Sequence, residues 1–160
     1  MDMKTHTPLP IAPTGQQDAD AACLSCLLQY GLATIDQVID WADKLIETAT
    51  APEIPLIELA MARDESSLDV RLRLVSLAGR QDLWHHRRAI LSDPTFIANL
   101  DLETAVLIAR QHDSAALDMP NDFWPMVEFN DLFFLANRGD YGSVEEVLAE
   151  FRTYLASLKP

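Results

Sequence analysis

The stretch Thr34-Ile35-Asp36-Gln37-Val38-Ile39-Asp40-Trp41-Ala42-Asp43-Lys44-Leu45-Ile46-Glu47 reads as a helix from its cap to its last turn. Thr34 is a residue type that caps, and Gln37, three positions on, completes a capping box. Ile35, Val38, Ile39, Ala42, Leu45 and Ile46 then recur on one face at helical spacing. Asp36, Asp40, Asp43 and Glu47 recur on the opposite side, at intervals of 4, 3 and 4. The plain reading of that stripe is a solvated face, partly offset by Lys44. The functional reading is a contact surface for Lys and Arg side chains of another molecule.

The same signals repeat in both directions. Toward the N-terminus, a helix is predicted from about Asp18 to Tyr30, with Asp18 or Asp20 near its cap and Gly31 past its end. Residues 1–17 carry Pro8, Pro10, Pro13 and Gly15 with no apolar period, and read as a flexible tail. Toward the C-terminus, Pro55 opens a short helix to about Ala62, with its proline in the first turn. Ser66 or Ser67 then caps a segment in which Val70, Leu72 and Leu74 alternate with Arg71 and Arg73. That alternation suits a half-buried strand, but Leu and Arg are good helix formers and no second strand-like run exists to pair with it. We therefore read residues 68–78 as helix, ending at Gly79. Further helices follow over 81–91, after Asp93-Pro94, and from Asp101 to about His112. An aromatic helix with Asp122 as its cap then holds Phe123, Trp124, Phe129, Phe133 and Phe134. The last is capped by a second box, Ser143 with Glu146, and buries Val144, Val147, Leu148, Phe151 and Leu155. The expected fold is all-α: one domain over 18–160, a bundle of about seven to nine short helices, partly arranged as helical hairpins.

Charge narrows the function. The chain carries 25 acidic and 12 basic residues, a formal net of -13, with 49% hydrophobic residues. Such a chain folds, and its field repels nucleic acid and anionic membranes while attracting a cationic partner. Residues 1–62 are net -7 and 89–160 net -8, while the band 63–88 is net +2. The simplest role of that band, which holds Arg63, Arg71, Arg73, Arg80, Arg87 and Arg88, is to pair with neighbouring acidic helices. Its other role is a local anion or phosphate contact. No run of about 18 apolar residues suggests a membrane span. With no secretory signal and only two Cys, a reducing cytoplasm is the expected compartment.

Motifs for chemistry are sparse. Five Gly, at 15, 31, 79, 139 and 142, leave no phosphate-cradling loop. Cys23 and Cys26 form a C-x-x-C pair, but inside a predicted helix with no preceding strand and no second ligand pair; they read as small buried hydrophobes. Asp82 with His85 or His86 supplies two metal ligands at helical spacing, which is short of a site. His112-Asp113 has the composition of an acid/base pair, but its place at a helix end suits a cation facing the dipole. Ser25, Ser76, Ser92 and Ser114 lack a nucleophile elbow. No catalytic residue, cofactor or metal is therefore expected. The aromatic helix reads as core, with Phe123 or Trp124 a candidate interface anchor if exposed.

The stretch Tyr30-Gly31-Leu32-Ala33-Thr34-Ile35-Asp36-Gln37-Val38-Ile39-Asp40-Trp41-Ala42-Asp43 resembles openings of small, acidic, all-helical bacterial proteins of uncharacterised families, some of them similar to immunity proteins of toxin–immunity pairs. The resemblance carries no binding motif and transfers no residue role. It adds to the expectation, raised by the charge, of a non-enzymatic protein that covers a cationic effector such as a nuclease toxin; the acidic pattern itself offers Asp36, Asp40, Asp43 and Glu47 as one contact face and Glu145, Glu146 and Glu150 as a second. The alternative is a cytosolic helical adaptor or self-associating scaffold, in which exposed apolar surface dominates. Oligomeric state stays open at this point.

Overall fold

Side-chain caps set most of the helix starts. In the computed structural model, which describes residues 7–112 and 118–160, both capping boxes form. Thr34 Oγ1 accepts from the Gln37 amide at 3.2 Å while Gln37 Oε1 accepts from the Thr34 amide at 2.9 Å. Ser143 and Glu146 make the equivalent pair at 3.2 and 3.0 Å. Ser66, Asp82, Asp93 and Asp101 each accept from a first-turn amide of the helix they precede. These bonds satisfy donors that a helix start leaves without intrahelical partners.

The described residues form nine α-helices and no strand: α1 (Gln17–Gln29), α2 (Ile35–Thr48), α3 (Ile54–Ala60), α4 (Ser67–Ala78), α5 (Leu83–Leu91), α6 (Pro94–Ala98), α7 (Leu102–Gln111), α8 (Pro125–Asn137) and α9 (Val144–Ser157), with a 3₁₀ turn at Asn121–Phe123. The all-α bundle expected from the periodicity is the observed fold. The ambiguous segment is helix α4: Val70, Leu74 and Ala78 are buried at spacing 4, while Leu72 points away from them and is exposed.

The core has two lobes. One gathers α1 to α4, with α1 packed most heavily on α4 and α2 on α3. The other gathers α7, α8 and α9 around Phe123, Phe129, Phe133 and Phe151. Helix α5 joins them, since Ile90 belongs to the first and its neighbour Leu91 to the second. Tyr30, at the end of α1, is wholly buried in the second. Gly31 makes that corner possible: its φ is +69°, and a Cβ there would stand 2.8 Å from Leu107 Cδ2.

Two expectations are corrected. Asp18 and Asp20 lie in the first turn of α1, near its cap as expected, while the N-cap itself is Gln16 with no side-chain bond. Asp20 is buried within the helix and accepts from the Thr14 amide (2.7 Å), Thr14 Oγ1 (2.8 Å) and the Gly15 amide (3.0 Å). Those bonds tie the preceding segment down, and Leu9 and Ile11 pack on the first lobe, so residues 7–16 are not a tail without apolar anchorage. Two isolated apolar residues between prolines have no period to read. Residues 1–6 lie outside the described residues. Finally, Asp122 does not cap the aromatic helix: the 3₁₀ turn intervenes, and α8 begins at Pro125 with no side-chain cap. The Asp122 carboxylate accepts from Arg88 at 2.7 and 3.0 Å, which holds it below the usual carboxylate range.

Candidate functional site

Helix α2 carries the first predicted acidic face. Its apolar side is buried through Val38, Ile39, Trp41 and Ala42, so the opposite stripe has to face outward. Asp36 is partly covered and paired with Arg63 at 3.4 Å. Asp40, Asp43 and Glu47 are exposed, and none makes an ion pair among the described residues. The second set lies on α9, in the other lobe. Glu145, Glu146 and Glu150 are exposed, but the Glu146 carboxylate is engaged by the Ser143 amide. Helix α2 packs on α3, and α9 on α6, α7 and α8, so the fold leaves the two acidic faces in different halves of the molecule.

Beside α2 lies a surface that the sequence reading missed. Ile54 (71% exposed), Ile57 and Met61 (79% exposed) recur at spacing 3 and 4 along α3, and Leu68 (60%) and Leu72 (59%) lie on α4, which packs on α3. Apolar side chains this exposed on two adjoining helices are unusual for a face with nothing to meet. Glu58 and Glu65 pair with Arg73 between the two helices, while Glu53, Asp64 and Asp69 are exposed around them. The Arg63–Asp36 pair links the end of α3 to the acidic face of α2. The available signal was the helical phase: with Val70 and Leu74 buried, Leu68 and Leu72 must point elsewhere. At the aromatic helix Phe123 is wholly buried, whereas Trp124 is 46% exposed and meets the condition for an anchor.

The remaining candidates resolve individually. Cys26 is buried with its thiol 3.7 Å from the Leu83 carbonyl. Burial pushes the Cys23 thiol up to about 12 and Cys26 up to about 11, so neither is a thiolate nucleophile at neutral pH. Asp82 is occupied as the α5 cap, and a His86 ring nitrogen lies 3.0 Å from Gln81 Oε1. Among the described residues no three His, Cys, Asp or Glu side chains converge. Asp113 and Ser114 lie outside the described residues.

His112 requires a correction. It stands at the end of α7 as expected, but it is not a cation facing solvent. It is buried, its Nε2 is hydrogen-bonded to the Tyr30 hydroxyl at 2.8 Å, and its ring packs at tilted angles against Tyr30, Trp84 and Phe123. Burial, and then the nearby charge of Arg87, push its pKa down to about 4, so the imidazole is neutral. A cleft of about 400 Å³ opens beside it, with Arg87, Gln81 and Gln111 in its walls.

No family model, curated protein or solved structure matches this chain.

Proposed function

We propose that this chain is a non-enzymatic protein-binding protein whose partner is a basic protein docked on the α2–α3–α4 face. The observation that supports it most is the state of α2, where three of four stripe carboxylates face solvent with no ion pair among the described residues. Charges of this kind steer encounter and reject wrong partners, while adding little affinity at an exposed rim. The affinity has to come from surface that can be desolvated, and Ile54, Ile57, Met61, Leu68 and Leu72 supply it next to the charged rim. The concrete form of the proposal is an immunity or inhibitor protein that covers the Lys and Arg side chains of a toxin. A reducing cytoplasm belongs to the same reading, since both thiols are unbridged.

A second reading is favoured by the exposed apolar side chains alone: a scaffold that self-associates through α3 and α4. Sedimentation at two salt concentrations separates the two. The inhibitor reading expects a monomer whose association with its basic partner weakens steeply with salt. In the triple variant D40K/D43K/E47K, association with that partner slows by about tenfold or more. Unchanged association of the triple variant sinks the charge-steered reading, and a salt-insensitive homo-oligomer selects the scaffold.

A further inference from the structure

Three of the six arginines of the basic band answer to carboxylates, and exposed Arg80 makes no ion pair among the described residues. Arg63 pairs with Asp36, Arg73 with Glu58 and Glu65, and Arg88 with Asp122. Arg71 of α4 and Arg87 of α5 do not, among the described residues, and they lie close enough to repel each other. Arg87 is held in place: its Nε and Nη2 donate to Gln29 Oε1 at 3.3 and 3.1 Å, and its guanidinium sits 4.3 Å from the centroid of the Trp84 ring. The Arg71 Nε is sealed from solvent with no hydrogen-bond acceptor among the described residues. Burial, then the charge of Arg87, lower the Arg71 pKa. Two partly desolvated guanidinium groups side by side, with a bare donor and neutral His112 for company, are an unfavourable arrangement unless something negative completes it. In a protein of net -13, carboxylates to complete it were plentiful, yet none makes an ion pair with either arginine among the described residues.

We propose that the cleft beside Arg87 binds a small oxyanion, a carboxylate or a phosphate, on the Arg87 guanidinium, with the Gln111 amide donating from the wall and Arg71, outside the lining, adding a second positive charge. The planar guanidinium matches such an anion with two parallel donors. Asp82 and Asp118 also border the cleft. Their charge excludes polyanions, so nucleic acid and nucleoside triphosphates are poor ligands. The site is independent of the protein-docking reading, because its lining comes from the ends of α1 and α7 and from α5, and although Arg71 belongs to α4 the site uses neither the α2 carboxylates nor the exposed apolar side chains of α3 and α4.

The test is thermal unfolding of the full chain at constant ionic strength, with part of the potassium chloride replaced by potassium phosphate or potassium acetate at about 10 mM. Binding to the native state alone raises the Tm by about 3 °C at ten times Kd. A rise in phosphate identifies a phosphate ligand and a rise in acetate a carboxylate. The rise is expected to vanish in Arg87→Gln. Arg71→Met is expected to unfold at a higher temperature than wild type in chloride, because it removes the repulsion and the bare donor, and to respond less to the anion. Identical Tm values of the wild type in all three salts overturn the proposal. So does an Arg71→Met protein that is less stable in chloride yet keeps the full anion response, which is the behaviour of a purely structural arginine. Should Arg87→Gln fail to fold, the phosphorus-31 linewidth of phosphate with wild-type protein decides the matter: broadening relieved by acetate supports the site, and no broadening refutes it.

Discussion

His112 and Asp20 both stand where a sequence reading puts an ordinary polar residue, and both are buried. For His112 the consequence is a pH dependence with a definite sign. Its pKa falls from 6.5 to about 4 on folding, so the unfolded chain takes up a proton that the native state refuses. The stabilisation is fully present above the unfolded value of 6.5 and is lost as pH falls from there toward about 4. A shift of this size corresponds to roughly 3 kcal/mol at most. Urea midpoints measured at neutral pH and near pH 5 should therefore differ, and His112→Phe should flatten that part of the profile. The variant loses stability at every pH, because the Tyr30 hydroxyl is left without its partner, so the slope is the readout. The position of His112 at a helix end was legible from neighbouring residues. Its neutrality was not, because Tyr30, Trp84 and Phe123 reach it from three other parts of the chain.

At the scale of the element, local chemistry carries most of the information. The two capping boxes were readable because donor and acceptor lie three residues apart and need no tertiary partner. Thr34→Ala removes one such bond at the start of a helix that presents the acidic face, and is expected to cost about 1 kcal/mol. Ser143→Ala should cost a similar amount, read as a lowered urea midpoint with the slope unchanged. Helix α4 was harder, since Val70, Leu72 and Leu74 fit either period; burial of Val70, Leu74 and Ala78 decides for the helix and turns Leu72 outward. Asp122 had a good capping sequence context, yet its carboxylate is drawn to Arg88, 34 residues away. A charge-assisted fork outcompetes a cap when the fold brings a guanidinium within reach.

Across the whole molecule, self-repulsion is expected to outweigh pairing. A net charge of -13 is spread over a chain whose ion pairs are mostly exposed, and exposed pairs stabilise little. Screening should relieve more repulsion than it weakens attraction. Raising potassium chloride from about 20 mM to about 300 mM shortens the Debye length severalfold and is expected to raise the Tm by a few degrees. A Tm that falls with salt would mean that the ion pairs outweigh the surplus. Helix positions, most caps and the excess of carboxylates are written along the chain, because a helix needs partners only three or four residues away and net charge is a sum. Which polar groups lose water is a different matter. The burial of His112 and Asp20, the exposed side chains of α3 and α4, and the approach of Arg71 to Arg87 arose only when distant helices packed. Desolvation and pairing depend on neighbours in space, and those neighbours come from the tertiary fold.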